Sequence, residues 1–318
     1  MVQRMTPSVL QAPRPLILTP RDWAMLLTLS VLWGGSFFFA KIAVAEIPPL
    51  TLVALRVAIG AIALHLILFA RSEGSPLFDR RFLSLVVLGI VNNVIPFSLL
   101  FWAQQSIPSG LASIFNATTP IFTMLLATLL TADDKATPLK IGGITLGFLG
   151  VVVMLGTGAS GGGGLLPQIA CLGAAFSYGV SNMVARRLTT CPPMMLATGQ
   201  LTGSTLIMIP LSLALEAPWT LPVPSAAAVG SVLGLAILTT ALAYLLFFAV
   251  LKSAGATNAS LVTYLVPVSA ILLGTVFLGE RLGPAHYAGM VLIIAGVALA
   301  QGRLRRPRPT PRTEGDPL

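Results

Sequence analysis

Six apolar stretches of this chain each carry one narrow stripe of hydroxyl, amide and aromatic side chains. The stripes are Trp33, Ser36 and Phe37; Asn92 and Asn93; Asn116, Thr119 and Thr123; Tyr178, Ser181 and Asn182; Thr240 and Tyr244; and Ser260, Thr263 and Tyr264. Within a stripe the spacings are those of neighbours on one helix face. Such residues hydrogen-bond and stack. At neutral pH they carry no charge, so the chemistry on offer is recognition of an amphipathic neutral or zwitterionic solute. A single Asn or Thr in an apolar helix ordinarily bonds the next helix. Six stripes around one axis are instead expected to enclose a cavity, with Trp33 and Tyr264 as aromatic walls.

Charged groups narrow this further. No Asp or Glu falls in the middle of an apolar stretch, which argues against proton exchange through a buried carboxylate. Arg56 is the one strong charge inside a stretch. It is read either as a structural arginine snorkelling to helix ends or as a partner for a substrate carboxylate. His65 and His286 stand alone, with no metal partner at useful spacing. Two cysteines, Cys171 and Cys191, make neither a cluster nor a disulfide framework. No phosphate loop, zinc motif or nucleophile elbow occurs, so no metal, cofactor or enzymatic activity is expected. Pro96, Pro120 and Pro267 interrupt apolar stretches and are candidate hinges.

The elements that must position these groups follow from composition. Of 318 residues, 55% are hydrophobic and 9% charged, where a soluble domain carries about 25% charged residues. This is an all-α integral membrane protein. Crossing a bilayer takes roughly 20 apolar residues. The expected spans are 22–44, 50–70, 82–104, 110–131, 138–157, 165–186, 194–214, 226–251, 256–278 and 284–301, separated by Pro/Gly clusters or charges. With the N-terminus inside, sixteen of the 19 Lys and Arg residues lie on the cytoplasmic side; Lys41 and Arg281 lie outside, and Arg56 within a span. That asymmetry fixes the orientation, with both termini cytoplasmic. It also accounts for the net charge of +9 without any nucleic acid.

The chain is written twice. Ala112, Ser113, Pro120, Thr128 and Gly142 align with Ala259, Ser260, Pro267, Thr275 and Gly289. "WGGSFFFAK" at 33–41 aligns with "YGVSNMVAR" at 178–186, and "PPLTLVALR" at 48–56 with "PPMMLATGQ" at 192–200, so Arg56 meets Gln200. The unit is five helices. An odd number inverts the second copy, and two inverted halves that exchange shapes give alternating access. The expected organisation is a cytoplasmic tail at 1–21, a first repeat at 22–157, a Gly-rich linker at 158–164, a second repeat at 165–301 and a basic tail at 302–318. The fifth and tenth spans are rich in Gly and β-branched residues, with a GxxxG at Gly143 and Gly147, and read as packing elements.

"LWGGSFFFAKIA" in the first span, and Pro267 followed by Gly279–Glu280 around the end of the ninth, resemble the EamA-type branch of the drug/metabolite transporter superfamily over about 22–301. The first half departs from the pattern, with Ala132–Asp133 where the second has Gly279–Glu280. The resemblance implies a secondary transporter, exporter or facilitator, of a small metabolite, and the aromatic and amide stripes suit an amino acid or a derivative. The positive-inside pattern suits a multi-pass protein of a bacterial inner membrane, with a small-molecule substrate and the lipid bilayer as expected partners and a monomer or homodimer as the expected state. The competing readings are a proton-coupled multidrug or cation exporter, a passive channel, an intramembrane enzyme and a non-transporting scaffold.

Overall fold

The computed structural model describes residues 18–131, 136–155 and 164–302. Regular structure among them is entirely helical. The helices are α1 (Pro20–Ala43), α2 (Pro49–Ala70), α3 (Phe82–Gln104), α4 (Ser109–Leu130), α5 (Pro138–Leu155), α6 (Leu165–Ala185), α7 (Pro193–Glu216), α8 (Ala226–Gly255), α9 (Val262–Leu278) and α10 (Pro284–Ala300). Seven of them, α1 to α5, α7 and α8, are long and apolar enough to cross a membrane. The polar stripe of α6 dilutes its 21 residues, and α9 and α10 are apolar but only 17 residues long. The ninth span, expected from 256, opens with a helical turn at 256–259 ahead of the regular helix α9. Gly255 adopts φ 77°, which ends the regular run of α8, and Ser260 and Leu261 form a turn before α9. Most of each tail and of the 158–164 linker, together with Ala132–Asp133, lies outside the described residues.

Local sequence sets the helix starts. Thr19 caps α1 by accepting from the Asp22 N–H at 3.2 Å, while the Asp22 carboxylate accepts the Thr19 N–H at 2.9 Å. Proline occupies the first turn of α1, α2, α7 and α10, where its missing N–H costs nothing.

Helix packing is organised by pairs. α1 packs on α9 and α6 on α4; α3 packs on α6 and α8 on α1; α2 packs on α7, and α5 on α10. Exchanging every helix for the one five places along the chain returns the same set of pairs. Glycine contacts in the α1–α9 and α6–α4 pairs obey the same exchange. A Cβ on Gly34 would strike Ser269 and the Ala270 backbone, and one on Gly179 would crowd Phe122 and Thr123. α5 and α10 meet through glycine, since a Cβ on Gly143 would enter Gly296 and Ala300, and one on Gly296 would enter Gly143 and Gly147.

Two helices depart from α geometry, and they are exchange partners. α3 widens to π-helix at Ile90–Val94 and α8 at Gly234–Leu242. In α3 the Ile95 N–H reaches back to the Ile90 carbonyl, and Pro96, which has no N–H, comes at once after it. In α8 the Thr240 hydroxyl donates to the Leu235 carbonyl at 2.8 Å. A π-turn rotates the residues beyond it and is common at functional sites. Here the rotated segments carry Asn92 and Thr240 towards the centre.

Candidate functional site

A cavity of about 390 Å3 lies at the middle of the bundle. It is lined by α1, α3 and α4 and by their exchange partners α6, α8 and α9, with one contribution from α2 and two from α7; none comes from α5 or α10. The volume is that of a small-molecule site.

Eight aromatic side chains stand in its wall. Trp33 and Phe247 approach with ring centroids 5.4 Å apart, and Tyr244 stacks on Phe248 at 6.0 Å. Phe97 stacks on Phe101 at 6.0 Å and takes the edge of Tyr178 at 6.5 Å. Both stacked pairs are i and i+4 on one helix, so their rings fall on one face. A polar network crosses between the helices. The Ser181 hydroxyl donates to Asn92 Oδ1 at 2.9 Å, and Asn92 Nδ2 donates to Gln200 Oε1 at 2.9 Å. Gln200 Nε2 donates to the Tyr244 hydroxyl oxygen at 3.0 Å. Tyr244 also accepts from Asn92 Nδ2 at 3.5 Å, so its own proton is left for another partner.

Arg56 enters from α2. It is 5% exposed. Its Nε donates to Thr240 Oγ1 at 3.1 Å, and its guanidinium lies 3.8 Å from the Phe97 ring centroid. Among the described residues it makes no hydrogen bond to a helix end.

Most of the sequence-derived stripes meet here. Trp33, Ser36, Phe37, Asn92, Asn116, Thr119, Tyr178, Asn182, Tyr244 and Thr263 all line the cavity, as do Arg56, Pro120 and Pro267. Asn93, Tyr264 and Pro96 do not. Asn93 is one residue out of phase with Asn92 and turns to α7, donating to Ser204 Oγ at 3.0 Å. Tyr264 points towards the end of the bundle and donates to Gln301 Oε1 at 2.8 Å. Pro120 sits in the first turn after a break at Ala117 and Thr118, while Pro267 lies inside an unbroken helix, so the two prolines are not equivalent kinks. Sequence reasoning missed Phe97, Phe101, Phe247, Phe248 and Gln104. The i, i+4 spacing of Phe97 with Phe101 and of Tyr244 with Phe248 is the available signal for the aromatics, but phenylalanine in an apolar helix reads equally well as lipid-facing.

The two ends of the cavity are built differently. Towards the ends where α2, α4 and α8 begin, Gln104, Ser113 and Phe101 are at most 2% exposed. Beyond them three glutamates each cap a helix start from another helix. Glu216, ending α7, accepts from the Leu50 and Thr51 N–H groups at 2.9 and 2.6 Å at the start of α2. Glu280, after α9, accepts from the Ser109 and Gly110 N–H groups at 2.7 and 3.1 Å at the start of α4. Glu46, after α1, accepts from the N–H and hydroxyl of Ser225, both at 2.6 Å, before α8. These bonds to Ser225 hold the Glu46 carboxyl below the usual glutamate range. Lys41 Nζ donates to the Gln104 and Ile107 carbonyls at 2.7 and 3.0 Å beside them. At the opposite end Asn182 is exposed and donates to Thr123 Oγ1 at 3.0 Å. There Arg81 Nη1 donates to Thr190 Oγ1 at 3.2 Å, while Arg81 holds the carboxyl of its own neighbour Asp79 well below the carboxylate range. Ser253 donates to Asp22 Oδ1 at 2.7 Å. Among the described residues no group of His, Cys, Asp and Glu is placed to hold a metal ion.

Comparison with known proteins gives these features a family. The model of the EamA-like transporter family matches residues 23–156 and again 165–301. The chain is 25% identical to the "Uncharacterized transporter YoaV" of Bacillus subtilis (strain 168), over 86% of this chain and 94% of that one. It is 28% identical to the "Uncharacterized inner membrane transporter YedA" of Escherichia coli (strain K12), over 86% and 88%. It is 28% identical to a "Probable amino-acid metabolite efflux pump" of Salmonella typhimurium, over 87% and 93%. A solved structure described only as "Crystal structure of protein" superposes with a TM-score of 0.65 at 22% identity, over 90% of this chain and 99% of the other.

Proposed function

This chain belongs to the EamA-like transporter family, and from that membership we propose that it is a secondary transporter of a small amphipathic metabolite, neutral or zwitterionic, working by alternating access. The observation that carries the reading is the central cavity, lined by three helices of residues 22–157 and their three exchange partners in 165–301. A solute held on such an axis meets either side as the two halves rock. In this reading the chain crosses a bacterial inner membrane ten times with both termini cytoplasmic. The glutamate-capped face is then outward and closed, and the cavity faces the cytoplasm.

An amino acid or a derivative suits the cavity, since aromatic faces and amides are its main furnishing. The name of the Salmonella relative points the same way and suggests outward traffic. The scaffold reading predicts a filled core, which the cavity opposes. The cation-exporter reading asks for an acidic group in the cavity; no Asp or Glu lines it among the described residues.

The test is uptake into proteoliposomes from a labelled panel of amino acids, sugars, nucleosides and hydrophobic cations, with and without a pH gradient. Saturable flux without the gradient, lost in Trp33→Ala and kept in Tyr264→Ala, is the expected result. Flux confined to cations and driven by the gradient would replace this reading with the cation exporter.

A further inference from the structure

Arg56 is a buried cation without an anion. Its only hydrogen bond among the described residues is from Nε to the neutral Thr240 hydroxyl. The one ion pair there, Arg81 with Asp79, lies in the connection between α2 and α3. A buried guanidinium is normally held by a carboxylate, because leaving it desolvated and unpaired is costly. Stacking on Phe97 at 3.8 Å, with Phe101 at 5.7 Å, offsets part of that cost. It does so through one face of the plane and leaves the terminal nitrogens uncommitted, in a residue that lines the cavity. Two more donors stand near. The Tyr244 hydroxyl accepts from Gln200 and Asn92 and retains its proton, and the Tyr178 hydroxyl has no hydrogen-bond partner among the described residues. The exchange partner of Arg56 is the neutral Gln200, so the positive pole occurs once.

We propose that Arg56 is the carboxylate-binding residue of the cavity, and that the transported solutes are small carboxylates with a bulky apolar body. The guanidinium fork meets the two carboxylate oxygens, the tyrosine hydroxyls complete their hydrogen bonding, and the aromatic wall takes the body. A solute with an amine and no carboxylate leaves Arg56 unpaired and adds a second positive charge. This deepens the carrier reading and rests on it.

The experiment uses the full chain in proteoliposomes with three probes of nearly one shape: L-phenylalanine, 3-phenylpropanoate and L-phenylalaninamide. Wild-type protein is expected to prefer both carboxylates over the amide at least tenfold, in flux and in protection against thermal unfolding. Arg56→Gln erases the preference to within twofold, and Arg56→Lys keeps part of it. The wild-type comparison stands without any variant, so a folding defect in Arg56→Gln does not blunt it. Equal handling of the amide by wild type, or an undiminished preference in a folded Arg56→Gln protein, overturns the assignment. Saturable flux of sugars or nucleosides alone also overturns it and leaves the carrier reading intact. No flux of any panel solute removes the carrier reading and this inference with it.

Discussion

The two ends of the cavity have the same helix plan and different chemistry. At one end, Glu46 bridges to Ser225 before α8 with two bonds of 2.6 Å. By the alignment of Pro48–Pro49 with Pro192–Pro193, the position matching Glu46 is Thr190, and the one matching Ser225 is Arg81. These two do touch, but through one exposed bond of 3.2 Å. The residue matching Glu216 is Ser72, which has no carboxylate to offer. A carboxylate on the N–H groups of a helix start joins a charge-assisted hydrogen bond to the favourable end of the helix dipole. Among the described residues one plan therefore yields a fastened end and a loose end; Asp133, which matches Glu280, lies outside them.

The contrast can be broken most directly by cutting two fasteners together. Each bond to a carboxylate contributes roughly 1.5–3 kcal/mol, so Glu216→Gln with Glu280→Gln is expected to open the capped end at least tenfold more often. The readout is the labelling rate of Ser113→Cys by an impermeant thiol reagent, with Cys171 and Cys191 replaced by serine. An unchanged rate means the caps are not what closes that end. Next in size, Glu280→Ala alone should lower stability by about 2 kcal/mol, because the first turn of α4 loses its cap, as measured by thermal unfolding in detergent. Glu46 gives a pH test. Its carboxyl titrates below the usual glutamate range in the folded protein. Its stabilisation is therefore present above that range and lost as pH falls through the lowered value. Melting temperature should fall on acidification towards pH 4, and fall less in Glu46→Gln. The smallest effect should come from giving the loose end what it lacks. Thr190→Glu, facing Arg81, is an exposed pair worth about 0.5 kcal/mol. It should slow transport slightly while hardly moving the melting temperature.

Much of this is legible in the sequence. The all-helical membrane class comes from composition, the packing role of α5 and α10 and the stripes of α1, α4 and α6 from periodicity, and the repeat foretells which helices line the centre. Three things escape it. The π-turns of α3 and α8 change the phase of a helix partway along, so Asn93, adjacent to Asn92, reads as part of the same stripe and in fact faces α7. Tyr264 lies just after a turn at Ser260 and Leu261, and a face extrapolated through that turn points the wrong way. Glu46, Glu216 and Glu280 look like ordinary loop acids, because their partners are backbone N–H groups far along the chain, which no side-chain pattern records.

If the chain is the carrier proposed above, its unpaired guanidinium also has a kinetic meaning. A carrier must pass through a shut state on every stroke, and a shut, empty cavity strips Arg56 of water while giving it nothing in return. The costly stroke is then the empty return. Traffic of this kind runs most readily as a swap, one carboxylate out against one in. Such a protein equalises the ratios of its solutes across the membrane more readily than it drains any one of them.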